Sequence, residues 1–367
     1  MKKFLVLCLA LMMSVVMAGC GGSSSGSSGG SGSGAPSKGV KIGVSMPTKS
    51  LQRWNQDGAN MMSKLKEKGY DVDLQFAENK VEAQVSQIEN MITKGCKVIV
   101  VGAIDGGSLS SVLDEAKSAG VKVIAYDRLI MNTDAVNYYA TFDNYGVGQI
   151  QGQYIEKKLG LKEGKGPFNF EIATGPMDDN NAVFFFKGAM DVLQPYVDKG
   201  QLVIRSGQVT REQCATPNWD EAKAQERMDN LLTTNYADAK LDAVLCSNDS
   251  VSLGVQSALK SAGYNTADKP MPVITGQDAN LPNVKAIISG EQSMSVFKDT
   301  RALADQVVKM VDALLSGKEP EVNDTKTYNN GAKIVPSYLL KPQFVDKDNY
   351  KQLLIDSGYY KEADLQK

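Results

Sequence analysis

The residue types best suited to binding chemistry in this sequence stand in short polar clusters that follow apolar runs. Asp127 and Arg128, Asn248, and Asp278 each come just after such a run. Apolar runs of this length are typical of buried parallel strands, whose carboxyl ends gather at one edge of a sheet, where open α/β folds bind ligands. Amides, carboxylates and an arginine at such an edge suit a small, uncharged molecule rich in hydroxyl groups. We therefore predict a sugar site.

The elements that must position these clusters form two successive series of alternating strands and helices. In a predicted helix at 81–93, Val81, Val85, Ile88 and Ile92 recur at helical spacing and share one face. This alternation predicts an α/β protein with two doubly wound, Rossmann-like lobes. The predicted strands are 40–46, 72–76, 98–101, 121–126 and 138–141 in the first lobe, and 168–173, 202–205, 243–246, 273–275 and 293–297 in the second.

We expect the chain to pass between the lobes three times, near 141–143, near Phe297 and near Ile334. A three-segment hinge of this kind lets two lobes close on a ligand held between them. The predicted first lobe is 38–142 plus 298–333, and the predicted second lobe is 143–297 plus 334–367.

Residues 1–20 have the features of a secretory signal peptide: two early lysines, an apolar run to Met17 and a final Ala-Gly-Cys. We predict cleavage before Cys20 and lipidation of that cysteine. The alternatives are an ordinary signal peptide cut nearby and, less favoured, a spanning helix, for which the run is shorter than the ~20 residues a bilayer requires. Residues 21–37 are almost entirely Gly and Ser, which predicts a flexible tether.

Composition excludes several classes of function. The formal net charge of −2 lacks the basic excess of nucleic-acid-binding proteins. The absence of histidine excludes Ser-His-Asp and Cys-His catalysis and HExxH zinc chemistry. We expect no cofactor and no metal. Cys96 and Cys246 are predicted to be buried small hydrophobes, and a pairing of Cys214 stays open.

Across nearly all of 38–367 the sequence resembles the type I periplasmic sugar-binding proteins of ABC transporters, in the xylose-binding and multiple-monosaccharide-binding branch. The matching stretches are 45–48 with Arg53 and Trp54, 87–91, 125–128, 139–144, 179–182, 276–279 and 335–340.

The resemblance implies a monomeric receptor without catalytic activity, which the lipidation predicted at Cys20 would anchor to the outer face of the cytoplasmic membrane. It would bind a monosaccharide of the xylose, glucose, galactose or arabinose type and deliver it to an ABC permease. In some relatives a chemoreceptor or sensor kinase is a further partner. The ligand contacts carried over from the family are Arg53, Trp54, Asp127, Arg128, Asn180, Asn181, Trp219, Asn248, Asp278 and Lys298.

Each of these residues also has a purely structural interpretation. Asp127 and Arg128 could pair with each other, and Trp54 could be a core anchor. Asn and Asp favour helix N-caps, a role we assign to Asp249 rather than to Asn248. Of the two asparagines, Asn181 is favoured over Asn180 as the ligand contact.

Other functions also remain open. They are a receptor for a non-aldose signal such as an autoinducer, an enzyme acting on sugars with Asp127 and Asp278 as its acid and base, and the sensory core of a regulator.

Overall fold

The computed structural model describes residues 39–366, so the predicted signal peptide 1–20, with Cys20, and the tether 21–37 lie outside the described residues. The strands are β1 (Lys41–Met46), β2 (Asp71–Phe76), β3 (Val98–Val101), β4 (Lys122–Tyr126), β5 (Tyr138–Phe142), β6 (Phe168–Ala173), β7 (Leu202–Val203), β8 (Ala243–Cys246), β9 (Val273–Ile274), β10 (Met294–Phe297), β11 (Ser337–Leu340) and β12 (Gln343–Asp346). The helices are α1 (Gln52–Glu67), α2 (Val81–Thr93), α3 (Ser110–Ser118), α4 (Asn144–Leu159), α5 (Asn180–Asp198), α6 (Glu221–Asn235), α7 (Asp249–Ser261), α8 (Leu281–Ser289), α9 (Thr300–Leu315) and α10 (Glu362–Gln366).

The first lobe is built on a parallel six-stranded sheet with the order β11-β5-β4-β3-β1-β2. Alternate residues of its strands face opposite layers of helices. Val98 and Val100 pack with α1 and α9, whereas Ile99 and Val101 pack with α2 and α3. Burial on both faces explains why the strands are continuous apolar runs in the sequence.

The second lobe contains a parallel sheet with the order β7-β6-β8-β9. Leu245 of β8 packs toward α4 and α5, and its neighbour Val244 packs toward α6 and α7. An antiparallel pair, β10 with β12, continues this lobe through a bridge between Gln277 and Val296. Strand β7 is shorter than the predicted strand at 202–205.

The chain passes from the first lobe to the second between β5 and α4 and returns between β10 and α9. The third passage differs from the predicted one near Ile334. Strand β11 pairs in parallel with β5 and so belongs to the first lobe, and the chain crosses only between Leu340 and Gln343. Backbone pairing, which hydropathy does not encode, decides this boundary.

Among residues 39–366, no helix combines the length and the apolar character needed to span a bilayer. The cysteines Cys96, Cys214 and Cys246 of this part of the chain are buried, and none is disulfide-bonded. Cys96 and Cys246 are packed in apolar clusters, as expected, and Cys214 is packed against β6 and β8.

Candidate functional site

The carboxyl ends of the parallel strands of both lobes face one cavity between the lobes. Asp127 follows β4, Asn248 follows β8, and Asp278 follows β9. The cavity is lined by nine of the ten predicted contact residues: Arg53, Trp54, Asp127, Arg128, Asn181, Trp219, Asn248, Asp278 and Lys298.

Asn180, the remaining predicted residue, is not among the lining residues. The first turn of α5 directs its neighbour Asn181 inward instead. The Asn181 amide donates to the backbone carbonyl of Asp127 at 2.8 Å and so connects the two lobes. Its carbonyl oxygen accepts from the Tyr139 hydroxyl at 3.0 Å and from Asn144 at 3.1 Å, which fixes the orientation of the amide.

One side of the cavity is a buried network of alternating charges. Arg53 lies 2.7 Å from Asp57, 2.9 Å from Asp127 and 3.6 Å from Asp278. Lys298, on the hinge segment after β10, lies 3.1 Å from Asp278 and 3.5 Å from Asp127. The two cations therefore hold the Asp127 and Asp278 carboxylates together at the boundary between the lobes.

Arg128 pairs with Asp179 and not with its neighbour Asp127. Its Nε lies 2.9 Å from the Asp179 carboxylate, which comes from the other lobe. Its Nη1 donates to the backbone carbonyls of Ala103 at 3.0 Å and Ile104 at 3.3 Å. The guanidinium is therefore held in place by both lobes.

The aromatic lining is also fixed by polar contacts. Trp54 is 1% exposed, and the guanidinium carbons of Arg53 and Arg128 lie 4.3 Å and 5.1 Å from the centre of its ring. The Trp219 indole N–H donates to Asp179 at 3.1 Å, and the ring lies edge-on to Phe185 at 6.3 Å. Both tryptophans are thus core residues of their own lobes that also form part of the cavity wall.

Three of the lining residues have left-handed backbone conformations that disfavour ordinary side chains. The φ angles are +59° at Asp127, +57° at Trp219 and +97° at Asp278. Such conformations cost of order 1–3 kcal/mol each and cluster at binding sites, where the surrounding structure holds them. In the described chain, three of the nine residues other than glycine with positive φ line this cavity, an arrangement typical of binding sites.

Asn248, and not Asp249, caps α7: the Asn248 side chain accepts from the Val251 N–H at 2.9 Å. Our assignment of the cap to Asp249 is therefore wrong. The Asp249 carboxylate is fully buried and accepts from the Asn280 N–H at 2.7 Å and the Ser295 hydroxyl at 2.8 Å. It supports the segment that carries Asp278.

The buried carboxyl groups have different pKa values because the charges around them differ. Burial alone would raise the pKa of Asp127, but the charges of Arg53 and Lys298 hold it at about 2. Burial raises the pKa of Asp57 to about 6 despite the opposing charge of Arg53. Burial and the charge of Asp278 raise the pKa of Asp249 to about 8.

Several buried polar atoms at the cavity wall have no hydrogen-bond partner among residues 39–366. They are the Trp54 indole nitrogen, the Gln277 carbonyl oxygen and the Asn280 carbonyl oxygen. Leaving a buried polar group unpaired is costly, so these atoms indicate a ligand that supplies both donors and acceptors.

Asp179, Gln277 and Asn280 line the cavity and were not predicted as contacts. Asp179 lies within the matching stretch 179–182, which was the available signal for it. In the structure it accepts from the Asn181 N–H at 2.9 Å and pairs with Arg128. Gln277 adjoins Asp278, which was the available signal for it.

Two doubly wound lobes around a buried polar cavity define a two-lobed solute-binding protein of the type I fold. The sequence model of the periplasmic binding protein domain family matches residues 42–319. The chain therefore belongs to this family, whose members are exported solute-binding proteins.

The relatives agree with this assignment. The chain is 55% identical to the multiple sugar-binding periplasmic receptor ChvE of Rhizobium radiobacter, over 88% of this chain and 92% of the relative. It is 38% identical to the D-xylose-binding periplasmic protein of Escherichia coli, over 90% and 93%. A solute-binding protein of Clostridium phytofermentans, solved with β-D-glucose, is 61% identical and superposes with a TM-score of 0.86, over 89% of this chain and 99% of that one. The predicted resemblance is thereby confirmed.

Proposed function

We propose that this protein captures one monosaccharide in the cavity between its lobes and delivers it to an ABC sugar permease. The observation that carries the proposal is the convergence of charged, amide and aromatic side chains from both lobes on a single buried cavity. The three lining cations, Arg53, Arg128 and Lys298, are each within 3.1 Å of a carboxylate. A neutral ligand fits this balance.

The groups on the cavity wall match the two kinds of surface on a pyranose. The paired carboxylates of Asp127 and Asp278 can accept from adjacent hydroxyls, while the neighbouring Arg53 and Lys298 can donate to them. The rings of Trp54, Trp219 and Phe185 can cover the C–H faces of the sugar without requiring a hydrogen bond.

D-Glucose and D-xylose are the candidate ligands that the relatives suggest. Relatives are named for xylose and for multiple sugars, and one was solved with β-D-glucose. These two pyranoses differ only in the hydroxymethyl group at C5. A cavity that accepts both would distinguish them through the groups around that substituent.

Ligand binding would stabilise the closed arrangement, because only that arrangement lets both lobes contact the sugar. Closure would then follow from the difference in the ligand's affinity for the open and closed forms. We place the closed protein next to its permease through a lipid on Cys20 and the tether 21–37. Presentation to a chemoreceptor or sensor kinase is a further role of the same closed form.

Sugar hydrolysis is the less favoured alternative. A glycosidase needs one protonated carboxylic acid and a second carboxylate at the scissile bond. Asp127, with its pKa held at about 2, and Asp278, paired with Lys298, are both arranged as anions. This arrangement favours stoichiometric binding without turnover.

Calorimetric titration with D-glucose, D-xylose, L-arabinose, D-galactose and D-ribose tests the proposal. We expect one sugar per chain and an affinity near micromolar, about −8 kcal/mol. Release of product from a glycoside would favour the enzyme. Failure of every aldose to bind would refute sugar capture and favour a receptor for another small signal.

A further inference from the structure

The C-terminal segment of the described chain reaches the boundary between the lobes. A π-helical turn, Lys351–Asp356, leads to Tyr359 and Tyr360. Tyr360 packs in the apolar cluster of Ala279, Val345 and Leu354, which belongs to the second lobe. The Tyr359 ring lies 4.7 Å from the ring of Phe297, at the hinge, so the segment is anchored where the lobes meet.

The Tyr360 hydroxyl joins two elements of different lobes. It donates to the backbone carbonyl of Ala279 at 3.0 Å and accepts from the side-chain amide of Gln52 at 2.8 Å. The carbonyl oxygen of the same Gln52 side chain accepts from the Leu281 N–H at 3.1 Å. Gln52 belongs to α1 of the first lobe, whereas Ala279 and Leu281 belong to the second.

These contacts adjoin the predicted ligand residues on both sides of the cavity. Gln52 directly precedes Arg53 and Trp54, and Ala279 directly follows Asp278. Ala279 has a φ of +49°, so its peptide is held in a conformation that the Tyr360 contact helps to maintain. A shift of either partner would move a cavity residue.

We propose that Gln52 and Tyr360 form an inter-lobe latch, a pair of positioning residues that raises sugar affinity by stabilising the closed form. The inference rests on the proposed function, because it deepens the closure of the same site. The latch touches no cavity atom itself. It acts by adding hydrogen bonds between the lobes that exist only when α1 meets the 279–281 segment, which shifts the open–closed equilibrium.

The variant Tyr360→Phe removes only the hydroxyl, and Gln52→Ala removes the other partner. Tyr264→Phe is the matched control, because Tyr264 is also buried but its hydroxyl accepts from the Leu241 N–H within one lobe. In titrations with D-glucose we expect Tyr360→Phe to weaken binding about three- to tenfold, mainly through faster release, and Tyr264→Phe to leave affinity unchanged. The double variant should lose less than the sum of the single losses.

Hydrogen–deuterium exchange of the amide of Leu281 provides a measurement that does not depend on the identity of the sugar. We expect faster exchange in Tyr360→Phe and Gln52→Ala than in Tyr264→Phe. Unchanged exchange at 278–281 overturns the latch even if no sugar binds.

If the wild type and Tyr264→Phe bind glucose and Tyr360→Phe binds it equally well, the latch is wrong while the proposed function stands. If the wild type binds no sugar, the proposed function fails and exchange alone decides the latch.

Discussion

Arg128 and Asp179 form a buried ion pair, 2.9 Å between Nε and the carboxylate, that joins the end of β4 in the first lobe to the start of α5 in the second. The same carboxylate accepts from the Trp219 indole. A single acidic side chain thus orients a cation of one lobe and an aromatic ring of the other. The geometry of the cavity therefore depends on the contact between the two lobes.

We expect Arg128→Ala to weaken sugar binding tenfold or more, about 1.4 kcal/mol, because Asp179 is left buried without its partner. Calorimetric titration with D-glucose measures this loss. Arg205→Ala is the matched control, since its pair with Asp238 lies at the surface. Equal affinity of Arg128→Ala and the wild type would contradict the role of Arg128.

Asp278→Ala should weaken binding by a similar factor while the circular dichroism spectrum stays that of the wild type. The substitution removes an acceptor for sugar hydroxyls and the closest anion to Lys298, 3.1 Å away. Asp134→Ala, which breaks only the exposed pair with Lys117, should leave affinity unchanged. If Asp278 is not part of the sugar site, Asp278→Ala and Asp134→Ala should bind the sugar with equal affinity.

The buried carboxyl group of Asp249 should make stability depend on pH. Its pKa is raised to about 8 in the folded protein, against ~3.9 in the unfolded chain, so the folded state binds the extra proton between these values. Stability should therefore fall as pH rises through this window, by about 2 kcal/mol between pH 6 and pH 8. Urea unfolding of Asp249→Asn should lack this part of the slope, and parallel pH profiles for the two proteins would disprove the assignment.

Gly175→Ala should displace Trp219 and weaken sugar binding, because a Cβ at Gly175 would lie 2.1 Å from the Trp219 ring. The change should appear in the intrinsic fluorescence, since the chain has only two tryptophans and both line the cavity. If Gly175→Ala keeps the emission spectrum and the affinity of the wild type, Trp219 does not need its present position for binding.

The sequence predicts the parallel strands and the cavity lining well, because both depend on local apolar runs and on the residues directly after them. Local apolar runs do not reveal which distant segments of the chain contact each other. Strand β11 joins the first sheet by pairing with β5, and this was not visible in its hydropathy. Tyr360 reaches Ala279 from 81 positions away in the chain.

Polar residues beside the site were harder to assign, because helix caps and ligand contacts use the same residue types. Asn248, for example, caps α7 and also lines the cavity. Asn180 and Asn181 are adjacent and chemically identical, and only the direction of the first turn of α5 separates them. Asp179 was not predicted, because its partner Arg128 comes from the other lobe and lies 51 positions earlier in the chain.

Co-crystallisation of the protein with D-glucose tests the central claim most directly. We predict one pyranose between the lobes, with hydroxyls within hydrogen-bond distance of Asp278, Asn248 and Arg128 and a ring face against Trp54 or Trp219. A sugar bound elsewhere on the surface, or a cavity without sugar at millimolar glucose, would contradict the account.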